Sequence, residues 1–135
     1  MSRALGRDGE HVSVLSLALS PDGRRVVTTH SHHARVWNAE SGAELLRVAS
    51  HTVMIRNAAF SPDGRRLATA GFDKSVKLWD LETGHELITL KGHNIFHCIS
   101  FNTDGARIVA GCGSDAIIWD GRPVDIKPAL KSESL

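Results

Sequence analysis

The sequence is poor in aromatic side chains, has no tyrosine and contains only two cysteines among its 135 residues. Cys98 and Cys112 are too few for the disulfide framework of a small secreted domain. No apolar run approaches the ~20 residues that a membrane-spanning helix needs. Residues 1–10 lack the apolar stretch of a secretory signal peptide. These absences argue against a disulfide-rich secreted domain and a helical membrane protein, and we expect a cytoplasmic protein.

The charges of the chain nearly cancel, with 16 basic and 15 acidic residues and a net charge of +1. No overall field therefore draws the chain to nucleic acid or to an anionic membrane, and neither partner is expected. The two cysteines fall on strands that are predicted to be neighbours, so a bridge between them is geometrically conceivable. Reduced, buried thiols are the favoured interpretation for an intracellular protein.

Three short marks return along the chain at intervals of about 40 residues. The first is a Ser-Pro-Asp-Gly turn, found at residues 20–23 and 61–64 and in degraded form at 102–105. The second is a tryptophan that follows each turn: Trp37, Trp79 and Trp119. The third is a histidine that opens each unit: His11, His51 and His93. These marks divide most of the chain into three units.

The clearest unit, residues 51–92, predicts four short strands. Apolar side chains alternate in four runs, which is the period-2 pattern of strands with one covered face. The runs are separated by turn signals at residues 61–64, 71–74 and 82–84, where proline or glycine favours a tight turn. Four strands joined in this way form an antiparallel meander.

The repeat resembles that of the WD40 family, in which each unit carries a Gly-His near its start and a Trp-Asp near its end. Gly92-His93, Trp79-Asp80 and Trp119-Asp120 match these marks, while Ser50-His51 and Trp37-Asn38 are near misses. The resemblance implies an all-β fold of WD40-type β-propeller blades, with three four-stranded antiparallel sheets in an incomplete ring. The repeats also resemble bacterial WD-repeat proteins, in which a propeller often follows a Ser/Thr kinase domain, although no kinase motif is present here.

On this basis the chain divides into three blades and two short ends. The predicted ranges are an N-terminal tail or partial outer strand at 1–10, blades at 11–50, 51–92 and 93–130, and a C-terminal tail at 131–135. Propellers usually have about four to eight blades, so three would leave two sheet faces bare. Three arrangements would cover them: a longer propeller of which this is a part, a second copy that completes the ring, or an unrelated partner.

The family resemblance implies one hydrogen-bonded tetrad in the second unit, formed by His51, Thr69, Asp73 and Trp79. In it the indole N–H meets the threonine oxygen, the hydroxyl meets the histidine, and the other ring nitrogen meets the aspartate. A histidine, a carboxylate and a hydroxyl also resemble a hydrolase triad. A structural clamp is favoured, because the hydroxyl lies on a central strand beside an indole and no oxyanion hole is recognisable. No catalytic residue and no cofactor is predicted.

The other two units carry partial tetrads. The members of the first are His11, Thr28 and Trp37, with Ser31 or His32 where the aspartate should be. In the third, His93 and Trp119 remain, Ala110 replaces the hydroxyl, and Asp115 comes two positions late. We expect looser loops in both units.

Two clusters of polar residues have competing interpretations. His30, His32 and His33 could ligate a metal, but a polar loop that gains charge below about pH 6.5 is favoured, and no metal is predicted. A basic stripe along one rim could hold phosphate groups, but solvated hairpin charge is favoured. Its members are Arg24, Arg25, Arg65, Arg66 and Arg107.

The function predicted from these features is a non-catalytic scaffold for protein–protein interaction. Partner contacts are expected on the rim formed by the turns between second and third strands and by the segments that lead into each first strand. The candidates are His30, His32, His33, Met54, Phe72, Asn94 and Ser114. Phe72 either anchors a partner from an exposed turn or lies flat on its own blade. The rivals are a regulatory propeller segment of a longer signalling enzyme, such as a Ser/Thr kinase, and a small enzyme or metal site.

Overall fold

The computed structural model describes residue 2, residues 4–5, 13–48 and 51–120, and the backbone of residues 127–131. These residues form three antiparallel four-stranded sheets and contain no helix. The predicted all-β class, with three sheets that do not close a ring within the described chain, is confirmed. None of the described segments is a helix that could cross a membrane.

Each sheet is a simple meander in chain order. The first sheet consists of β1 (Ser16–Leu19), β2 (Arg25–Thr29), β3 (Ala34–Asn38) and β4 (Glu44–Val48). The middle sheet consists of β5 (Ile55–Phe60), β6 (Arg66–Gly71), β7 (Ser75–Asp80) and β8 (Glu86–Lys91). The third sheet consists of β9 (Phe96–Phe101), β10 (Arg107–Cys112), β11 (Asp115–Asp120) and β12 (Lys127–Lys131). Pro128 lies in the edge strand β12, where its missing N–H does not interrupt a central ladder.

The turns between first and second strands explain the repeated Ser-Pro-Asp-Gly signal. In the first sheet the Ser20 hydroxyl donates to Asp22 Oδ1 at 2.6 Å and accepts from the Arg25 N–H at 2.9 Å. Gly23 has a φ of 72°, in the left-handed region where a side chain would be strained. The same bonds and the same positive φ recur at Ser61 and Gly64 in the middle sheet.

Two apolar layers hold the sheets together. The first lies between the first and middle sheets and includes Val27, Val36, Ile55, Phe60 and Trp79. The second lies between the middle and third sheets and includes Ala68, Leu78, Phe96, Ile108 and Trp119. The middle sheet is therefore covered on both of its faces, because each face supplies one layer.

Asn57 on β5 adds a polar link among the three sheets. Its Nδ2 donates to Ser16 Oγ on β1 at 2.9 Å, and its Oδ1 accepts from the Ile99 N–H on β9 at 3.2 Å. The first strands of the three sheets consequently lie side by side, which brings one end of every sheet to a common rim.

The predicted ends of the chain and the predicted state of the cysteines can be compared with the structure only in part. Most of the predicted tails at 1–10 and 131–135 lies outside the described residues, and β12 ends one residue beyond the predicted blade boundary. Both cysteines are free, and Cys112 is buried, with its thiol 3.3 Å from the Asn94 carbonyl. Cys98 is exposed, so the expectation of two buried thiols is wrong for it.

Candidate functional site

The structure brings the four predicted tetrad residues of the middle sheet into one chain of hydrogen bonds. The Trp79 indole N–H donates to Thr69 Oγ1 at 3.0 Å, and Thr69 Oγ1 lies 2.7 Å from His51 Nε2. His51 Nδ1 lies 3.0 Å from Asp73 Oδ1. Because the Thr69 oxygen accepts from the indole, its own proton points to Nε2, and Nδ1–H then donates to the carboxylate.

Ser75 is a fifth member that the sequence analysis did not identify. Its hydroxyl donates to Asp73 Oδ1 at 2.6 Å and lies 3.3 Å from His51 Nδ1, and the residue is fully buried. The sequence signal was present, because Ser75 follows Asp73 by two positions and short hydroxyl side chains commonly bond a neighbouring carboxylate. The added bond gives Asp73 Oδ1 a further donor beside the imidazole and the Ser75 backbone N–H, which donates to the same oxygen at 3.2 Å.

Burial and hydrogen bonding set the charge states in this network. Burial lowers the pKa of His51 below its ordinary value, and the hydrogen bond from its ring to Asp73 does not offset that effect. For Asp73, burial acts to raise the pKa, but the hydrogen bonds from Ser75 and His51 outweigh it, so the pKa is lowered. At neutral pH the pair is thus a neutral imidazole and a carboxylate.

The buried position of the network disfavours the hydrolase interpretation. The His51 side chain is fully buried and Thr69 is 0% exposed. A nucleophile needs room for a substrate atom within about 3 Å, and the Thr69 oxygen is instead occupied by the indole and the imidazole. The network instead links the segment before β5, through His51, to Thr69 and Trp79 on the two central strands of the same sheet. Its role is therefore structural.

In the first sheet, the histidine that meets the threonine is His30. Its Nε2 lies 2.9 Å from Thr28 Oγ1, which accepts from the Trp37 indole N–H at 2.8 Å. His30 is 4% exposed, so its predicted place among the rim contacts is wrong. His11, the predicted member, lies outside the described residues. A missed signal identifies His30: it follows Thr28 by two positions and therefore shares its face of the strand.

The third sheet keeps only the histidine–aspartate part of the tetrad. His93 Nε2 lies 2.9 Å from Asp115 Oδ2, and the His93 side chain is 48% exposed. Trp119 is buried, and its ring centre lies 5.7 Å from that of Phe96. With Ala110 in place of a hydroxyl, the indole and the imidazole are not linked through that position.

One rim of the stacked sheets is built by turns that are tied to the segments leading into the first strands. The Phe72 N–H donates to the Met54 carbonyl at 2.9 Å, and the Gly113 N–H donates to the Ile95 carbonyl at 3.1 Å. Between sheets, the Ile55 N–H donates to the Ser31 carbonyl at 2.7 Å. The rim therefore has a fixed backbone on which side chains can vary.

Most predicted partner contacts lie on this rim. His32, Met54, Asn94 and Ser114 are exposed, while His33 and Phe72 are half-buried. His33 stacks on His30 with ring centres 4.9 Å apart, which explains why it does not project fully. Val53, 40% exposed, was not predicted; its apolar side chain directly before Met54 was the available signal.

The structure describes the residues of both polar clusters, the three histidines and the five arginines. Among the described residues, no group of three or more His, Cys, Asp and Glu is arranged to hold a metal ion. The basic stripe is interrupted, because Arg25 donates to the Gly64 carbonyl and Arg107 lies 3.4 Å from Asp120. Arg24 and Arg65 are exposed, each in a turn that also carries an aspartate.

Comparison with known proteins gives a family match along most of the chain. The sequence profile described as "WD domain, G-beta repeat" matches residues 5–38, 42–80 and 84–120. Two solved structures, of RRP9 WD40 repeats and of U3-55K, superpose with a TM-score of 0.81 at 18% identity. Each covers 91% of this chain, which spans 39% and 40% of those chains, and they establish the likeness of the fold.

Three relatives illustrate the sequence similarity. The transcriptional corepressor LEUNIG_HOMOLOG of Arabidopsis thaliana is 30% identical over 79% of this chain and 14% of its own length. The serine-threonine kinase receptor-associated protein of Dictyostelium discoideum is 32% identical over 81% of this chain and 38% of its own length. The small ribosomal subunit protein RACK1 of Caenorhabditis elegans is 34% identical over 64% and 26%, respectively. The chain thus spans well under half of each of these relatives.

Proposed function

The chain belongs to the WD40-repeat family, and from that premise we propose that it is a non-catalytic module for protein–protein interaction. The proposal is carried by the rim that includes Val53, Met54 and Phe72, which we call the rim patch. The patch is apolar, partly exposed and held in place by the hydrogen bond from the Phe72 N–H to the Met54 carbonyl.

The surroundings of the rim patch have the composition of a protein interface. Polar side chains flank it on both neighbouring sheets: His32 on one side, and Asn94 and Ser114 on the other. A central apolar patch with a polar border is the usual anatomy of such interfaces. The side chains of the buried tetrad hydrogen-bond to one another, which supports a structural role for them.

Capture from a cell extract tests this proposal. The wild-type chain is immobilised beside a Met54→Lys variant and a matched control, Leu45→Lys, in which a 52% exposed leucine on β4 is changed instead. We expect the same proteins on the wild type and the control, and their loss from the Met54 variant. Equal capture by all three chains would contradict a role for the rim patch.

Two finer parts of the proposal have separate tests. A cytoplasmic location is also proposed, and it is checked by fractionation of cells that express the natural protein. The interrupted basic stripe supports proteins rather than nucleic acid as partners, and binding of RNA or DNA at 150 mM salt would count against it. The link to bacterial WD-repeat proteins has no support from the relatives above, which come from a plant, a slime mould and a nematode.

The alternative is that the chain is a regulatory propeller segment of a longer signalling enzyme such as a Ser/Thr kinase. It is kept because the chain spans only 14–38% of these three relatives, which leaves room for other domains. The kinase receptor-associated relative is named for an association with a receptor and carries no argument for a kinase domain here. Sequencing of the natural transcript around this reading frame decides between the two.

A further inference from the structure

The charges of the chain nearly cancel in number, but the structure separates them in position. Most carboxylates of the described residues lie at the end of the sheets that is opposite to the rim patch, in or beside the turns from first to second and from third to fourth strands. They are Asp22, Glu40, Glu44, Asp63, Asp80, Glu82, Glu86, Asp104 and Asp120. This opposite rim also carries the arginines of the interrupted stripe, so both signs of charge are mixed there.

The rim that holds the rim patch has two carboxylates in the described part of the chain, and both contact a histidine. Asp73 Oδ1 lies 3.0 Å from His51 Nδ1, and Asp115 Oδ2 lies 2.9 Å from His93 Nε2. The Asp73 and Asp115 side chains are only 10% and 15% exposed. Little negative charge therefore faces the solvent beside the rim patch.

Three cationic side chains lie on the same rim, and we call them the basic border. Arg56 follows Met54 by two positions, Lys74 follows Phe72 by two positions, and Lys91 is the last residue of β8. All three are exposed, and none of them forms an ion pair or a side-chain hydrogen bond within the described residues. Their charges are thus available to a partner.

Backbone contacts place the basic border around the rim patch. The Gly92 N–H donates to the Lys74 carbonyl at 2.9 Å, which holds the end of β8, with Lys91, beside the turn that contains Phe72. Arg56 is the extra residue of a bulge in β5, a feature that changes the direction of a side chain relative to its strand. The cations therefore follow the rim from the first to the fourth strand of the middle sheet.

Lys74 has an uncommon backbone conformation. Its φ is 63°, and among the described residues it is the one residue other than glycine with a positive φ. The turn between the second and third strands of the third sheet uses a glycine, Gly113, for its own positive φ of 62°. The Lys74 side chain makes no hydrogen bond or ion pair in the described chain that would offset the strain. Such outliers occur preferentially at functional sites.

We propose that the rim patch binds a segment of a partner protein in which aspartate and glutamate side chains border an apolar side chain. The apolar side chain packs on the rim patch, and the carboxylates meet the basic border. The inference deepens the proposed function and rests on it, because it names the chemistry of the partner for the same surface. Complementary charge speeds association and excludes basic partners.

An acidic protein segment fits this surface better than a nucleic acid does. Nucleic acids carry a phosphate at every nucleotide and are held by extended rows of cations with stacked aromatic side chains. The border has three cations around an apolar centre, and the one aromatic side chain of the rim patch, Phe72, is half-buried. An extended segment of about six residues spans about 20 Å, which is enough to place carboxylates on either side of an apolar side chain.

Selection from a random peptide library displayed on phage tests the partner chemistry. Peptides of about twelve residues, twice the length argued above, are selected on the wild-type chain, synthesised and measured by fluorescence anisotropy. We expect acidic residues to be enriched around an apolar residue. Binding should weaken at least about tenfold in Met54→Ser, which removes an apolar side chain without a change of charge.

Two other results of the selection would overturn the inference. Peptides that depend on Met54 but are not enriched in acidic residues would overturn it and leave the proposed function intact. Recovery of no peptide that depends on Met54 would also overturn it. The capture of whole proteins through Met54 tests the proposed function separately.

Three charge variants locate the carboxylate contact. Lys74→Glu reverses one charge of the border, and Lys74→Gly removes the charge with a residue that suits the positive φ. The control is Arg65→Glu, which makes the same change of net charge at an exposed position of the opposite rim. We expect affinity for the selected peptides to fall at least about tenfold in Lys74→Glu, about threefold in Lys74→Gly and less than about twofold in the control. Thermal unfolding checks that every variant is folded, and equal affinities of Lys74→Glu and Arg65→Glu would overturn the role of the border.

Two further probes separate a protein partner from other anionic partners. Single-stranded RNA of about 20 nucleotides and vesicles that contain phosphatidylserine are expected to stay unbound at about 150 mM salt. Binding of either probe that is abolished by Lys74→Glu would overturn the proposal in favour of that class of partner. Affinity for the selected peptides should fall between about 50 and 300 mM salt, and it should fall less in Lys74→Gly. An affinity of the wild type that does not change with salt would contradict the carboxylate contact.

Discussion

Thr28 Oγ1 and His30 Nε2 lie 2.9 Å apart on the first sheet, and both side chains are buried. The middle sheet closes the corresponding contact with His51, which comes from the segment before its own first strand. The first sheet instead uses His30, which follows Thr28 by two residues and lies just beyond the end of β2. The threonine that accepts from the indole thus contacts a histidine in both sheets, but the histidine comes from a different position in each.

Replacement of His30 tests its place in the core. His30→Ala removes the buried partner of Thr28 and the ring that stacks on His33, so the free energy of unfolding should fall by about 1–3 kcal/mol. His32→Ala is the control, because His32 is exposed in the same turn, and its effect should stay within about 0.5 kcal/mol. Urea unfolding measures the loss of unfolding free energy for both variants. Equal losses would contradict a buried, stabilising role for His30.

Thr69→Val tests the link between the indole and the imidazole in the middle sheet. Valine keeps the shape of threonine but leaves the Trp79 N–H and His51 Nε2 buried without the hydroxyl, which should cost about 2 kcal/mol of unfolding free energy. Thr103→Val, at an exposed turn position, is the matched control. A cost no larger than that of the control would show that the tetrad adds nothing to stability.

The lowered pKa of His51 predicts a pH dependence of stability. Below about pH 6.5 the unfolded imidazole binds a proton while the buried ring stays neutral, so the native state loses stability as the pH falls. The lowered pKa of Asp73 acts in a separate window, below about pH 3.8. The unfolding free energy of wild type relative to His51→Gln should therefore shrink between pH 7.5 and 5.5. A difference that grows over this interval would contradict the assignment of a neutral ring.

Arg25→Ala tests the contact of this arginine with the middle sheet. The variant loses the bond to the Gly64 carbonyl and the contact over the Phe60 ring, and we expect a loss of about 1–2 kcal/mol. Arg24→Ala changes the neighbouring exposed arginine and should be close to neutral. Chemical denaturation at equal salt gives the unfolding free energy of both variants. Equal losses would contradict a stabilising contact between Arg25 and the middle sheet.

The strands and turns were predictable because they rest on local chemistry. Period-2 alternation and the Ser-Pro-Asp-Gly turns act within a few residues, and Gly23 and Gly64 have the positive φ that the turn sequence indicated. The tetrad of the middle sheet was predictable from the resemblance to the WD40 family, since its members match family positions. These features need no knowledge of neighbouring sheets.

The remaining features depend on contacts between elements that are distant in sequence. Leu17 and Ala58 occupy the same repeat position, yet one is 66% and the other 4% exposed, because within the described part of the chain only the second has a sheet in front of it. His30 was assigned to the rim from its place after a strand, although its side chain turns inward to Thr28. The bond from Ser75 to Asp73 is local and could have been anticipated, whereas the approach of Ser75 to His51 arises only when the segment before β5 lies on its own sheet.

Hydrogen exchange of the chain, alone and with the partner captured through Met54, tests most directly whether the rim carries the function. The account predicts slower exchange of backbone amides at 52–54, 72–74 and 94–95 in the complex, with no change in the outer strands β4 and β8. Slowing confined to β4 and β8, or no slowing at the rim, would contradict it.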